Sequence, residues 1–217
     1  MILIPVKNLK DAKQRLAPVL DQFLRTELAQ AMLFDVLELL SSWPNRPDVS
    51  LVTNDPFALE LASNFGYQVI PDHSDRGETE AIELATQLCT RRGTGFTLVI
   101  PGDIPLITVL ELDQIFKAAP EEGSVLVPSS DKRGTNAVFR RPAGLFPLRF
   151  GNDSFMPHLT AAQATGKSCT VLSLPGMAMD IDTPSDLREL AAMPGETRSQ
   201  RLARQWDLTD LPVAANL

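Results

Sequence analysis

The chain contains few of the side chains that most often hold transition metals in proteins. Its 217 residues include only two cysteines and two histidines. The cysteines, Cys89 and Cys169, are not spaced as metal ligands, and we interpret both as reduced thiols of the core. Any chemistry is therefore expected from carboxylates, cations and hydroxyls, a set suited to Mg²⁺ and phosphate groups.

Long apolar runs and an excess of positive charge are also absent. No apolar run reaches the length of a transmembrane helix, and the segment after Met1 is too short and uncharged at its front for a signal peptide. The net charge of −7 argues against nonspecific binding of nucleic acid. We expect a cytoplasmic protein with neither a membrane nor a nucleic acid as partner. A homodimer is one option for its assembly.

The chain lacks a glycine-rich phosphate motif after its first strand-like segment, which excludes a P-loop and a dinucleotide-binding fold. A basic loop stands there instead, with Lys7, Lys10, Lys13 and Arg15. Cations that directly follow a sheet strand can surround a triphosphate. Lys13 and Arg15 are the preferred phosphate ligands, with Lys7 as a third, and the alternative is a solvated basic loop.

Strand-like and helix-like segments alternate along the chain, which predicts an α/β fold with a mostly parallel sheet. The predicted strands span residues 2–6, 49–53, 67–70, 96–100, 124–128, 136–140 and 168–174. The predicted helices span residues 21–41, 56–65, 77–92, 108–118, 155–165 and 184–192. We expect one domain over residues 1–192, and an extension over 193–217 that is helical or partly disordered.

Carboxylates follow two of the apolar segments. Asp103 comes directly after the strand at 96–100, in a turn with Pro101 and Gly102. Ligands bind at the carboxyl ends of strands in open α/β sheets, so Asp103 is a candidate metal ligand, although it is equally well explained as a turn former. Pro101 and Gly102, in the same turn, would face the same site.

A second acidic pair, Asp180 and Asp182, ends a later apolar stretch. Only one of the pair is expected to share a metal with Asp103. Asp182 lies just before a helix that starts at Pro184, where N-capping explains it at least as well. Asp180 is therefore the better candidate for the second metal ligand.

Small and polar residues near positions 134–137 and 150–158 indicate an anion site. Gly151 permits close backbone approach, Thr135 and Ser154 offer hydroxyls, and a helix that begins near Ser154 attracts anions. Such a group suits a phosphorylated or carboxylated acceptor. The alternative is a turn followed by an N-capped helix. His158 lies one turn after Ser154 and either faces the same site or is a packing residue.

Together these motifs resemble the phospholactate guanylyltransferase family, within the wider class of sugar-nucleotide and molybdopterin nucleotidyltransferases. The resemblance spans roughly residues 1–190, and its pieces lie at 4–7 with 12–16, 101–106, 131–137, 150–158 and 180–184. It implies a three-layer Rossmann-like fold with a mostly parallel mixed sheet. It also implies Mg²⁺-dependent transfer of GMP from GTP to phospholactate, phosphoenolpyruvate or phosphoglycerate, with loss of pyrophosphate, in deazaflavin coenzyme synthesis.

The resemblance assigns roles to individual residues of this chain. Those expected at the nucleotide are Pro5, Val6, Lys7, Lys13, Glu78, Pro101 and Gly102. Those expected at the acceptor are Thr135, Asn136, Gly151, Ser154 and His158. The expected catalytic residues are Lys13, Arg15 and Asp103, and the expected metal ligands are Asp103, Asp180 and Asp182.

One departure from the family concerns a D-x-G-L-N stretch, where this chain has Glu78 and Thr79 in place of the Leu-Asn pair. A carboxylate can accept two hydrogen bonds from the N–H edge of guanine, so Glu78 can preserve the choice of base. Alternatively, it marks a different nucleotide or acceptor. The competing functions are a nucleotidyltransferase of the sugar-phosphate or molybdopterin type and a non-catalytic nucleotide-binding module.

Overall fold

The computed structural model describes residues 1–44, 46–72, 77–151 and 153–206. The strands are Ile2–Val6 (β1), Val49–Thr53 (β2), Gln68–Ile70 (β3), Thr97–Val99 (β4), Gly123–Pro128 (β5), Thr135–Arg141 (β6) and Ser168–Val171 (β7). The helices are Gln22–Ser42 (α1), Pro56–Phe65 (α2), Glu78–Arg91 (α3), Val109–Ala118 (α4), Phe155–Ala164 (α5), Pro175–Ala178 (α6), Pro184–Ala192 (α7) and Arg198–Gln205 (α8). None of the helices in these ranges is long and apolar enough to cross a membrane.

The seven strands form one sheet in the order β3-β2-β1-β4-β6-β5-β7. All neighbours run parallel except β6, which is antiparallel to both β4 and β5. Because β6 is reversed, its first residues, Thr135 and Asn136, lie at the same sheet edge as the carboxyl ends of the other strands. The predicted α/β fold with a mostly parallel mixed sheet is confirmed.

Helices cover both faces of the sheet, and a large apolar core fills the space on each face. Along β1, Ile4 belongs to the core shared with Leu33 of α1 and Leu61 of α2, whereas Leu3 belongs to the core shared with Ile82 of α3. This alternation is the period of two that a strand imposes on its side chains. Both faces of β1 are buried, as is typical of a central parallel strand.

Local signals define most helix ends. Asp55 caps α2 through the backbone N–H of Ala58, with Pro56 at the first helical position, and α2 has the predicted bounds. Of the two alternatives for Asp182, the capping role is wrong, because Thr183 is the N-cap of α7. Its hydroxyl accepts a hydrogen bond from the Asp186 amide, and the Asp186 carboxylate accepts one from the Thr183 amide. The Asp182 carboxylate therefore takes no part in capping and stays available to the candidate active site.

The C-terminal third differs in detail from the prediction. The strand expected over residues 168–174 ends at Val171, and the short helix α6 follows it. Beyond Pro194, helix α8 packs against α1 and α7. Asp35 of α1 fixes its start, because its carboxylate accepts hydrogen bonds from the Arg198 and Ser199 amides at 2.8 and 2.9 Å. The rest of the expected extension, 207–217, lies outside the described residues.

Candidate active site

A cleft with two lobes opens at the carboxyl edge of the sheet. We call one the loop lobe, a cavity of about 470 Å³ bounded by the loop after β1, by Ala29 and Leu33 of α1, and by Gly102. The other is the hydroxyl lobe, a cavity of about 590 Å³ lined by Thr135, Ser154 and their neighbours. The lobes share three lining residues, Glu78, Pro101 and Asp103. A molecule in one lobe therefore meets a molecule in the other near Asp103.

The loop lobe contains the residues predicted for the nucleotide, which are Pro5, Val6, Lys7, Lys13, Glu78, Pro101 and Gly102. Its floor is apolar, from Ala29 and Leu33. Gly102 lies so close to this floor that a Cβ atom there would be 3.0 Å from the Leu33 Cδ1 atom. A side chain at this point would require Leu33 to shift by a few tenths of an ångström.

Lys13 lies between two carboxylates. Its Nζ atom is 2.6 Å from Asp103 Oδ2 and 2.8 Å from Asp182 Oδ1, and its side chain is only 5% exposed. Burial alone would lower the pKa of Lys13, but the two carboxylates outweigh that effect and hold it above its usual value. Lys13, which was predicted as a phosphate ligand, therefore forms ion pairs with Asp103 and Asp182, which were both predicted as metal ligands. Of these, Asp103 lies where the two lobes meet.

The other two predicted phosphate ligands are more exposed. Arg15 Nη1 is 3.3 Å from Asp182 Oδ2, and its side chain is 62% exposed. Lys7 pairs with the Asp72 carboxylate and is 42% exposed. Both cations are therefore accessible to an anion that enters from solvent.

The acidic pair, Asp180 and Asp182, converges on the hydroxyl lobe together with Asp103. Both carboxylates line this lobe while Ile181, between them, is buried, which is the arrangement expected of residues two apart in an extended segment. The Ile181 amide donates to the Asp103 carbonyl at 3.4 Å, which ties the two acidic segments together.

Asp180 and Asp182 have opposite electrostatic surroundings. Burial and then the nearby Asp103 and Asp182 raise the pKa of Asp180, which accepts a hydrogen bond from Asn136 Nδ2 at 3.1 Å. Burial also disfavours the charge of Asp182, but Lys13 and Arg15 outweigh it and lower its pKa. Among the described residues, Asp180 forms no ion pair.

The carboxylates fit Mg²⁺ as a donor set. Within the described ranges, no group of three His, Cys, Asp or Glu side chains is arranged as a metal site. Mg²⁺, however, is usually held by one or two carboxylates together with substrate phosphates. Asp103 and Asp180 supply two such carboxylates at one lobe.

The hydroxyl lobe brings together Thr135, Asn136, Gly151 and Ser154, as predicted for one acceptor site. Ser154 Oγ donates to Thr135 Oγ1 at 3.2 Å. Ser154 precedes α5 but makes no side-chain capping bond, so the capping interpretation of this residue is wrong. Gly151 has a φ of 115°, a conformation in which other residues are strained.

His158 is fully buried behind Thr135 and does not line either lobe. Its Nδ1 atom is 3.0 Å from Thr135 Oγ1, and its Nε2 atom accepts the Arg149 amide at 2.8 Å. The expectation that His158 faces the acceptor directly is corrected, since any influence on a bound acceptor passes through Thr135.

Thr79 supports the site from outside both lobes, and in the sequence it is noticeable only as a departure from a family pattern. Its hydroxyl accepts from the Phe150 amide at 2.9 Å and donates to the Phe150 carbonyl at 3.3 Å. The start of α3 thereby holds the segment that carries Gly151. No local signal could reveal a contact between residues 71 positions apart.

Comparison with known proteins identifies the family of the chain. A family model described as "Guanylyl transferase CofC like" matches residues 1–212. A phosphoenolpyruvate guanylyltransferase of Roseiflexus castenholzii is 35% identical over 204 residues, which cover 94% of this chain and 93% of the relative. A 2-phospho-L-lactate guanylyltransferase of Methanothermobacter thermautotrophicus is 30% identical over 210 residues, with 97% and 92% coverage. A 3-phospho-D-glycerate guanylyltransferase of Colwellia psychrerythraea is 31% identical over 192 residues, with 88% and 91% coverage.

A solved structure supports the fold independently. The putative nucleotide-diphospho-sugar transferase from Desulfovibrio desulfuricans G20 superposes with a TM-score of 0.77 over 94% of this chain and 93% of that one. Its sequence identity of 17% limits the likeness to the fold. The family match and the relatives at 30% identity or more lead to one conclusion: the chain belongs to the CofC-like family of guanylyl transferases.

Proposed function

We propose that this protein transfers GMP from GTP to a small phosphorylated three-carbon acid and releases pyrophosphate. The observation that supports it most strongly is the pair of lobes of different chemistry that meet at Asp103. The loop lobe offers an apolar floor and the cations Lys7 and Lys13, which suit a nucleoside triphosphate. The hydroxyl lobe offers hydroxyls and backbone at a helix start, which suit a small anion.

The acceptors named for the relatives define the candidate substrates. These are phosphoenolpyruvate, 2-phospho-L-lactate and 3-phospho-D-glycerate. All three are acids with three carbons and one phosphate, and the hydroxyl lobe suits their anionic groups. We place the reaction in deazaflavin coenzyme synthesis.

The chemistry follows from the arrangement of the two lobes. An oxygen of the acceptor phosphate attacks the α-phosphorus of GTP in line, and the bond from that phosphorus to the β-phosphate oxygen breaks. The acceptor phosphate is already anionic at neutral pH, so no general base is required. Lys13 and Arg15, at the junction and rim of the lobes, stabilise the charge that develops on pyrophosphate. Asp103 and Asp180 would hold Mg²⁺, which supplies positive charge at the reacting phosphate.

The reaction is tested by pyrophosphate release from GTP, CTP, ATP and UTP, each offered with a panel of phosphorylated acids and hexose 1-phosphates. We expect release with GTP and a three-carbon acid. Release with a hexose 1-phosphate alone, or with another nucleotide alone, would reject the proposed function in favour of another nucleotidyltransferase.

The role of Asp103 is tested by Asp103→Asn, which keeps the shape and removes the charge. We expect turnover to fall by about a hundredfold or more, while the melting temperature changes little. Glu60→Gln, on the exposed side of α2, is the matched control and should keep full activity. Activity that persists in Asp103→Asn would contradict the assigned metal role.

A further inference from the structure

A buried chain of hydrogen bonds runs from the backbone of Arg149 through His158 to Thr135 at the wall of the hydroxyl lobe. The imidazole ring is fully buried, and its face is packed edge-on against Phe150 with ring centroids 5.1 Å apart. Because the ring has no room to turn over freely, its two nitrogen atoms keep different partners.

The partner of each nitrogen fixes where the proton lies. The Arg149 amide can only donate, so the Nε2 atom of His158 must accept and carries no proton. Burial, followed by the nearby Arg140, lowers the pKa of His158 to about 4, and the ring is neutral at neutral pH. A neutral imidazole with a bare Nε2 carries its proton on Nδ1. The Nδ1–H group therefore donates to Thr135 Oγ1.

Among the described residues, the hydrogen bonds at Thr135 occupy both acceptor positions of its hydroxyl and leave its proton to be donated elsewhere. A hydroxyl has two acceptor positions and one proton. At Thr135 Oγ1, His158 Nδ1–H supplies one donor at 3.0 Å and Ser154 Oγ supplies the second at 3.2 Å. In residues 1–44, 46–72, 77–151 and 153–206, no group accepts the proton of Thr135 itself, and this side chain lines the hydroxyl lobe.

We propose that His158 is a positioning residue that fixes the Thr135 hydroxyl as a donor into the hydroxyl lobe. The lobe then selects an oxyanion, the carboxylate or phosphate of the acceptor acid, because an anion can accept that proton and a donor group cannot. This inference rests on the proposed function for the identity of the acceptor. His158 touches no substrate and acts through one hydrogen bond.

The tautomer is tested directly by long-range ¹H–¹⁵N correlation spectra of the imidazole rings. The chain has only one other histidine, His73, so His73→Gln isolates the signals of His158. We expect the pattern of a neutral ring with its proton on Nδ1. A pattern with the proton on Nε2, or a charged ring at pH 7, would overturn the inference. This result does not depend on enzyme activity.

The effect on the acceptor is tested with two variants of equal shape, His158→Asn and His158→Leu. The Asn side chain places an N–H group near the position of Nδ1, whereas Leu has none, and both lose the contact with the Arg149 amide. With phosphoenolpyruvate as the probe, we expect His158→Leu to raise the KM by about tenfold or more, and His158→Asn to restore most of this loss. The KM for GTP should change in neither variant.

A double-mutant cycle separates positioning from a general structural role. In a Thr135→Val background the difference between Asn and Leu at position 158 should vanish, because the hydroxyl that they orient is gone. Equal losses in His158→Asn and His158→Leu, or a difference that survives in Thr135→Val, would overturn the inference. Failure of the wild-type protein to use any three-carbon acid would instead reject the proposed function, whereas the NMR result would still decide the tautomer.

Discussion

At the scale of single residues, Glu78 is the carboxylate of the cleft whose pKa is raised towards neutrality. It is the first residue of α3 and lines both lobes. Burial and then the charge of Asp103 raise the pKa of Glu78 to about 7, while Lys7 opposes the shift. A carboxylate in such a place is costly unless a ligand uses it, and the N–H edge of guanine is a suitable partner.

Glu78→Gln tests this assignment because the amide keeps the shape but loses one of the two acceptor oxygens. We expect kcat/KM for GTP to fall by about tenfold, with that for ATP unchanged or higher. The measurement is the ratio of pyrophosphate release from the two nucleotides. Glu80→Gln, on the same helix and outside both lobes, is the control. An unchanged ratio in Glu78→Gln would remove the residue from base selection.

The candidate site residues that could be predicted from the sequence are those that carry a local signal. Asp103 was predicted from its position after the strand at 96–100, and Thr135 from the small and polar residues around it and the family resemblance. The partners of these residues could not be predicted. Lys13 and Asp182 are 169 positions apart, and His158 and Thr135 are 23 apart, so their contacts depend on the assembled sheet.

At the scale of elements, α3 and the segment before α5 act as one unit. Thr79 on α3 makes both hydrogen bonds to the Phe150 backbone. Gly151, next along the chain, lines the hydroxyl lobe. Thr79, one of the two positions that depart from the family pattern, thus supports the hydroxyl lobe. It directly follows Glu78, the residue that we assign to the guanine base.

Thr79→Val should therefore weaken acceptor use, because it removes the hydroxyl and leaves the Phe150 amide without its partner. We expect the KM for phosphoenolpyruvate to rise about fivefold or more, and the KM for GTP to stay within about twofold. Steady-state kinetics with each substrate varied in turn gives both values. Thr79→Ser keeps the hydroxyl and should behave as the wild type. An equal rise in both KM values would show that Thr79 serves the whole cleft.

Helix α8 depends on one buried carboxylate of α1. Asp35 accepts hydrogen bonds from two amides at the start of α8 and from the Ser199 hydroxyl at 2.6 Å. Arg198 also lies over the Phe34 ring, 3.2 Å from its centroid. These contacts attach the end of the chain to the first long helix.

Asp35→Asn replaces one acceptor oxygen with a donor that faces the α8 amides. We expect a loss of about 2 to 3 kcal/mol in the free energy of unfolding, measured by urea denaturation. Glu38→Gln, exposed on the same helix, should change it by less than about 0.5 kcal/mol. A loss in Asp35→Asn no larger than that of the control would mean that α8 docks through its apolar contacts alone.

Element boundaries were predicted closely where the signals are local. β2 and α7 have the predicted bounds, because each ends at residues that cap or terminate it. Two features were not predictable. The direction of β6 depends on its pairing with β4 and β5, and α6 has only four residues, too few for a periodic pattern.

At the scale of the whole molecule, stability should depend on pH through the buried ring of His158. The unfolded chain binds a proton at this residue below about pH 6.5, but the folded protein binds it only near pH 4. As pH falls through this window, the unfolded state gains protons first. The stability that His158 contributes is therefore complete above pH 6.5 and is lost towards pH 4.

Urea denaturation of the wild type and His158→Leu at several pH values between 7 and 4 tests this dependence. We expect the wild type to lose up to about 3 kcal/mol more than the variant across the window, because the leucine has no proton to bind. The difference between the two curves cancels the contributions of all other titrating groups. Parallel curves would show that the ring is already charged, or solvated, in the folded protein.

The two lobes draw on different parts of the chain. The loop lobe is built from residues up to 103. Apart from Arg15, Glu78, Pro101 and Asp103, the hydroxyl lobe is built from residues 129–186. Under the proposed function, the two halves of the gene therefore encode the two substrate sites almost separately. A lineage can then exchange the acceptor through changes confined to the later half, while the half proposed to bind the nucleotide is inherited intact.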